Sequence, residues 1–221
     1  MKVDAKESRL LAIEMLEEEH RLIMRMVKLL PMVQRRVEGG SRLPEVLMTI
    51  VDFFQIYTDK SHHAKEEAAL FPLLAKRGIR LEGCPIGTLH HEHEQGRVLM
   101  KTLRAAVQSY SEGDPDAKKQ IAQALNNASG FYTEHIWKED FLLFPLSRKV
   151  LNDSDEEELR KQFISIDSKM GHRFQDEYHY HVDRVEAIVN SDGNIVHPYD
   201  LRAQTTDTKF EEELVKLATS P

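Results

Sequence analysis

Apolar side chains recur at helical spacing along most of this 221-residue chain. Leu22, Met26, Leu29 and Val33, for example, fall on one side of a helix. The pattern, with the turn residues that interrupt it, predicts five helices over residues 8–38, 43–76, 86–111, 115–150 and 155–190. Short connections between long helices favour antiparallel neighbours, so the expected fold is all-α: an up-down antiparallel four-helix bundle with an additional C-terminal fifth helix.

Three prolines fall beyond the first turn of the predicted helices. Pro31 is expected to kink the first helix and Pro72 to distort the last turn of the second, while Pro145 lies near the end of the fourth. After the fifth helix, residues 191–221 are expected to form a tail with one short amphipathic piece at 210–217.

Composition and charge exclude several classes of function. Lys and Arg number 30 and Asp and Glu number 37, so the formal net charge is −7, which argues against a nucleic-acid partner or a membrane-surface partner. We expect no membrane span and no secretory signal, hence a cytoplasmic protein. The one cysteine, Cys84, excludes an internal disulfide, a Cys-rich zinc module and an iron–sulfur cluster.

A sequence repeat organises the histidines. EEAALFP at 66–72 recurs as EDFLLFP at 139–145, which is 73 residues later. The same offset relates His20 to His93 and His62 to His135. Each half therefore contains one histidine followed by a His-x-x-x-Glu motif, and the six side chains are His20, His62, Glu66, His93, His135 and Glu139.

These six side chains predict a metal site. The histidine and glutamate of each motif are four residues apart and share a helix face. In antiparallel neighbours, His20 and His62 would lie at nearly the same height, and so would His93 and His135. Four imidazoles and two carboxylates suit two divalent first-row ions, and carboxylates that bridge two ions are typical of di-iron helix bundles.

Four segments together resemble the hemerythrin-like, HHE cation-binding family over residues 10–150. They are EEEHRLI at 17–23, YTDKSHHAKEEAALFP at 57–72, GCPIGTLHHEHEQGR at 83–97 and HIWKEDFLLFP at 135–145. The resemblance implies that residues 1–150 form a four-helix metal-binding bundle, with residues 151–190 packed on it as a helix and 191–221 as a tail. It also implies a cofactor of two iron ions, or a mixed-metal pair, with a bridging oxo or hydroxo group.

The resemblance implies a function as well. It predicts a non-haem di-iron protein that binds or reacts with dioxygen, nitric oxide or peroxide. The alternative is an iron- or oxygen-responsive sensor, or an iron-storage module, without turnover. A purely structural zinc site is a third hypothesis. No catalytic residue, protein partner or redox donor is assigned, and enzyme and sensor stay equally open.

The chain departs from the oxygen-carrying members at one position. Those proteins have a His-x-x-x-His pair on the third helix, whereas Leu89 stands four residues before His93 here. His90 could reach the same face and substitute for the missing ligand.

Other residues near the motifs leave alternatives open. His63 and Glu67 are also four residues apart, but the offset favours His62 and Glu66 because the counterpart of His63 is Ile136. His63 and Glu67 are therefore candidates for an additional ligand or for a group behind the ligands, and replacing Glu67 is expected to do little. Tyr57 is either a core residue or a hydrogen-bond donor behind the ligands.

Overall fold

A computed structural model describes residues 11–190 of the chain, and no strand occurs among them. The helices are α1 (Ala12–Glu38), α2 (Pro44–Asp52), α3 (Phe71–Lys76), α4 (Ile86–Glu112), α5 (Ala117–Lys138), α6 (Phe144–Val150), α7 (Asp153–Ser168) and α8 (Phe174–Asn190). Three segments are π-helical: π1 (Phe53–His63), π2 (Glu66–Leu70) and π3 (Glu139–Leu143). The predicted tail at 191–221 and the first residues of the first predicted helix lie outside the described residues. None of the described helices is both long and apolar enough to cross a membrane.

The predicted second and fourth helices are each continuous, with π turns inside them. In π2 the N–H of Phe71 donates to the carbonyl of Glu66, and in π3 that of Phe144 donates to Glu139, five residues back in both cases. Pro72 or Pro145 follows directly. Proline lacks an N–H, and its ring crowds the carbonyl four residues earlier. The wider π turn accommodates the ring, so neither proline ends its helix.

The expectation of a single fifth helix over 155–190 is wrong, because the structure has two helices there, α7 and α8. The break contains Gly171, whose φ of 114° lies in the region that favours glycine. Before it, the N–H groups of Lys169 and Met170 donate to Ile166 and Asp167 in tight three-residue turns that close α7. Periodicity on both sides of the break is helical, which concealed it in the sequence.

The helices pack as a bundle. Helix α1 contacts α5, and α4 contacts both α5 and α2. Helix α8 packs against α1 and α2, where Arg25 of α1 binds Asp183 and Glu186 of α8 at 2.7 and 2.6 Å. Helix α7 packs against α1 and π2. This arrangement fits the expected helical bundle, and its up-down antiparallel order stays a prediction.

The apolar core is divided into two clusters along the bundle. The larger contains Leu22, Phe54, Met100, Leu125 and Val185 among others. The smaller contains Leu16, Leu70, Leu89, Phe144 and Phe163 among others. Along α1, α4 and the two helices that contain π turns, the buried side chains between these clusters are polar. The fold therefore places a layer of buried histidine and glutamate between two apolar layers.

Replacing Gly171 by alanine should reduce the free energy of unfolding by about 1–2 kcal/mol, because an L residue is strained at that backbone angle. The control is Gly130→Ala on α5. Gly130 is exposed, and a methyl group there would meet no atom within 4 Å. Gly130→Ala should therefore stabilise the protein by up to about 1 kcal/mol. Chemical denaturation measures both changes, and a Gly171→Ala variant as stable as the parent would contradict the assignment of the break to Gly171.

Candidate metal centre

All six side chains of the repeat lie in the polar layer, and none is more than 2% exposed. Together with His63, their ligand-type atoms form two groups, within each of which the atoms lie within 4.8 Å of one another. The two-histidine cluster contains His20, His62, Glu66 and Glu139. The three-histidine cluster contains His63, His93 and His135.

The two glutamates reach both clusters. Glu139 places Oε2 3.1 Å from Nε2 of His20 and Oε1 3.3 Å from Nε2 of His135. Glu66 places Oε2 3.7 Å from Nε2 of His62 and 3.4 Å from Nε2 of His93. Each carboxylate is therefore positioned to bridge two ions, one in each cluster.

Several buried nitrogen and oxygen atoms of the polar layer have no hydrogen-bond partner, as expected of atoms that bind metal ions. No hydrogen-bond partner exists for the carboxylate oxygens of Glu66 and Glu139, for Nε2 of His93 and His135, or for either ring nitrogen of His63. Burying polar atoms without partners is unfavourable by several kcal/mol, which cations between them would relieve. Imidazole nitrogen and carboxylate oxygen are ligands that divalent first-row metals accept.

Four of the five histidines are oriented by a carboxylate behind them. Each Nδ1 lies within hydrogen-bond distance of one: His20 with Asp140 at 2.6 Å, His62 with Glu19 at 2.9 Å, His93 with Glu67 at 2.7 Å and His135 with Glu92 at 3.0 Å. A carboxylate there favours the tautomer with hydrogen on Nδ1, which leaves the Nε2 lone pair directed at the centre. These partners obey the 73-residue offset, which pairs Glu19 with Glu92 and Glu67 with Asp140.

Glu19, Glu92 and Asp140 were not predicted to orient the histidines, although the repeat contains a signal for them. Glu19 and Glu92 each precede a predicted ligand by one residue, and Asp140 follows one. Extending the offset to every charged neighbour of the six ligands would have identified all three.

Two lysines hold the outer carboxylates, and they too are counterparts in the repeat. Lys65 binds Glu19, and Lys138 binds Glu92. Lys65 is completely buried because Asp167 of α7 also binds it, at 2.7 Å, whereas the side chain of Lys138 is 29% exposed. Burial favours a raised pKa for Glu19, but Lys65 and the hydrogen bond from His62 outweigh it and lower that pKa to about 2.

Protonation in the layer follows from burial and neighbouring charge. Burial lowers the pKa of His62 to about 4 and that of His63 well below its ordinary value, so both imidazoles are neutral, which is the metal-binding form. Burial and the adjacent Glu139 raise the pKa of Glu66 well above its ordinary value. Burial also opposes ionisation of Glu139, but His135 and His20 outweigh it and lower that pKa.

The remaining candidates fall in different places. His63 joins the three-histidine cluster. Glu67 is in neither cluster, but because it binds Nδ1 of His93 we no longer expect its replacement to be harmless. His90 is exposed on α4 and belongs to neither cluster. Tyr57 lies in an aromatic group, with its ring stacked on Phe53 at 5.1 Å.

A comparison with known families agrees with this geometry. The family model of the hemerythrin HHE cation-binding domain matches residues 11–147. The chain belongs to this family. The match covers both halves of the repeat and every residue of the two clusters.

Three curated proteins are similar to the chain. They are uncharacterized proteins of Mycobacterium bovis and of two strains of Mycobacterium tuberculosis, each 24% identical over 151 residues. The match covers 68% of this chain and 58% of each relative, so the chain spans less than two thirds of their length. No solved structure matches the chain significantly.

Glu66→Ala or Glu139→Ala should remove a bridge and lower the metal content of the purified protein. Glu67→Ala should keep both ions but weaken their binding by about 10–100-fold, the usual effect of losing a carboxylate behind a ligand histidine. Glu67→Gln, which keeps an acceptor for His93, is the matched control. Elemental analysis and chelator competition measure these changes. If Glu67→Ala empties the site and Glu66→Ala does not, the ligand assignment is wrong.

Lys65→Met should destabilise the metal-free protein by about 3 kcal/mol or more, because it leaves Glu19 and Asp167 without their shared cation. Lys138→Met is the control at the equivalent position of the repeat. Since Lys138 is partly exposed, its loss should reduce the free energy of unfolding by about 1 kcal/mol or less. Urea denaturation after chelator treatment compares the two. Equal losses of unfolding free energy in the two variants would show that burial of Lys65 by α7 adds nothing to stability.

Proposed function

We propose that this chain is a non-haem di-iron protein that binds or reacts with dioxygen, nitric oxide or peroxide. The observation that carries the proposal is the buried meeting of five histidines and two glutamates. Both glutamates, His63, and Nε2 of His93 and His135 have no hydrogen-bond partner, and Nε2 of His20 lies 2.9 Å from Nε2 of His62. In this proposal the two-histidine cluster holds one ion, the three-histidine cluster holds the other, and Glu66 and Glu139 bridge them.

Iron, or a mixed pair that includes it, is proposed because carboxylates between two ions at the middle of a helix bundle are typical of di-iron proteins. Imidazole with carboxylate suits divalent first-row metals, while soft copper would require sulfur and magnesium or calcium would require oxygen alone. Cys84 is exposed and belongs to neither cluster. An iron pair in this place would supply open coordination positions and electrons for a small ligand.

The protein's own contribution is orientation and exclusion of water. The carboxylates behind the histidines hold the imidazole rings in one orientation. Phe144 stacks on His20 and Phe71 on His93, with ring centroids 5.1 and 5.9 Å apart, and these contacts are again related by the repeat. The two apolar clusters close the layer from both ends, so water does not compete freely for the centre.

One contact favours the alternative, a sensor without turnover. Asp167 of α7 binds both Lys65 and Ser61 on either side of His62, and Lys65 binds the carboxylate that holds His62. Occupation of the two-histidine cluster would therefore affect the docking of α7. Under this alternative, iron should slow hydrogen exchange in α7 and α8 while added ligands cause no turnover.

The deciding experiment is metal analysis and optical spectroscopy of protein purified without oxygen and then exposed to dioxygen, nitric oxide or peroxide. We expect two metal ions per chain, iron among them, and new charge-transfer absorption on exposure. His63→Ile, which copies Ile136, should lower the affinity for one ion by about tenfold or more, whereas exposed His90→Ile should not. Iron without any spectral response would support the sensor or storage module. Zinc alone would support a structural site and overturn the proposal.

A further inference from the structure

A cavity of about 160 Å³ lies against the three-histidine cluster. Its wall includes His63, so one residue belongs to both the cavity and the cluster. The other polar or small residues of the wall are Gln55, Asp59, Lys60, Gly96, Arg97 and Tyr132. They come from π1, α4 and α5, which meet there.

The cavity is a departure from the repeat. At the equivalent positions of the other half, Gly96 corresponds to Ile23, Arg97 to Met24 and His63 to Ile136. These three counterparts are buried members of the larger apolar cluster. The cavity wall takes His63 from the first half of the repeat and Gly96 and Arg97 from the second, and the counterpart positions of all three carry buried apolar side chains instead.

Gly96 lines the cavity where aromatic side chains of α5 approach α4 closely. A methyl group at that position would lie 3.2 Å from Cε1 of Phe131 and 3.2 Å from the hydroxyl oxygen of Tyr132. Glycine in the middle of a helix is less favourable than alanine by about 1 kcal/mol. The close approach of Phe131 and Tyr132 accounts for the glycine, and a larger side chain would have to displace these rings or enter the cavity.

The charges of the wall indicate an uncharged ligand. Arg97 already binds Asp59 at 2.7 Å, Glu67 at 2.7 Å and Glu94 at 2.5 Å, so its charge is shared among three carboxylates. The other cation of the wall, Lys60, is exposed. Phe54, Ile56 and Met100 complete an apolar side. Because these carboxylates neutralise Arg97 and Lys60 is exposed, the wall offers an anion little net attraction, whereas a small neutral molecule requires none.

We propose that this cavity is the binding and access site through which a small uncharged molecule of the dioxygen, nitric oxide or hydrogen peroxide class reaches the metal centre beside His63. The proposal rests on the proposed function for the chemistry of the ligand. The cavity is large enough for such a molecule, since a cavity of about 150 Å³ accommodates one as large as benzene.

The test narrows the cavity at Gly96 without changing any candidate ligand. Gly96→Val should slow association of nitric oxide with the reduced, iron-loaded protein by about tenfold or more, because a packed interior leaves no passage. Gly130→Val, on open helix surface, is the matched control and should leave the rate unchanged. Gly96→Ala, which adds one methyl group, should slow association less and provides the measurement if the valine variant does not fold.

A second readout does not require metal. Crystals of the metal-free protein under xenon pressure should show xenon in the cavity of the parent and of Gly130→Val, and none in Gly96→Val. Parent-like association rates in both Gly96 variants, or no xenon in the parent, would overturn the cavity as the access site. If the parent binds xenon there but the iron-loaded protein does not bind nitric oxide, the proposed function fails and the cavity remains as a site for small neutral molecules.

Discussion

Two buried glutamates, Glu66 and Glu139, lie between two apolar layers, and the structure around them limits the cost of burying their polar atoms. His135 and His20 outweigh burial and lower the pKa of Glu139, while burial and Glu139 raise the pKa of Glu66. An isolated ionised group in such a place is very unfavourable. Imidazoles approach both carboxylates, further carboxylates hold four of those imidazoles, and Lys65 and Lys138 hold two of the outer carboxylates. Each outer group is thus paired, and the unsatisfied atoms are concentrated where two cations would lie.

The repeat explains how such a network is built from one chain. Two similar helical pairs each supply a histidine, a His-x-x-x-Glu motif, a lysine and two outer carboxylates at matching positions. The π turns that begin at Glu66 and Glu139, and the prolines that follow them, occur in both halves as well. The symmetric positions form the centre itself, and positions that differ between the halves form the cavity and the contact with α7.

Much of the fold and of the candidate site could be predicted from the sequence. Helical periodicity predicts the long helices, and the 73-residue offset predicts the six principal ligand candidates, which the structure brings together. The same offset disfavoured His63, since a repeat cannot indicate a residue present in one half only. In a regular α-helix successive side chains diverge by about 100°. His62 and His63, at the end of π1, nevertheless both reach the buried polar layer, each in a different cluster. The π turns leave no periodic signal in a sequence. The break at Gly171 was concealed by helical patterns on both sides.

Arg97 shows how the departures from the repeat act together. It binds Glu67, which orients His93, and Asp59, whose Oδ1 lies 3.6 Å from Nδ1 of His63. Arg97 therefore supports His93 through Glu67 and forms part of the cavity wall beside His63. Its counterpart Met24 is a buried apolar residue with neither role. The side of the centre that Arg97 and His63 line therefore contains a polar cavity, whereas their counterparts Met24 and Ile136 are buried in the apolar core, so the symmetric layer of histidine and glutamate has two chemically different sides.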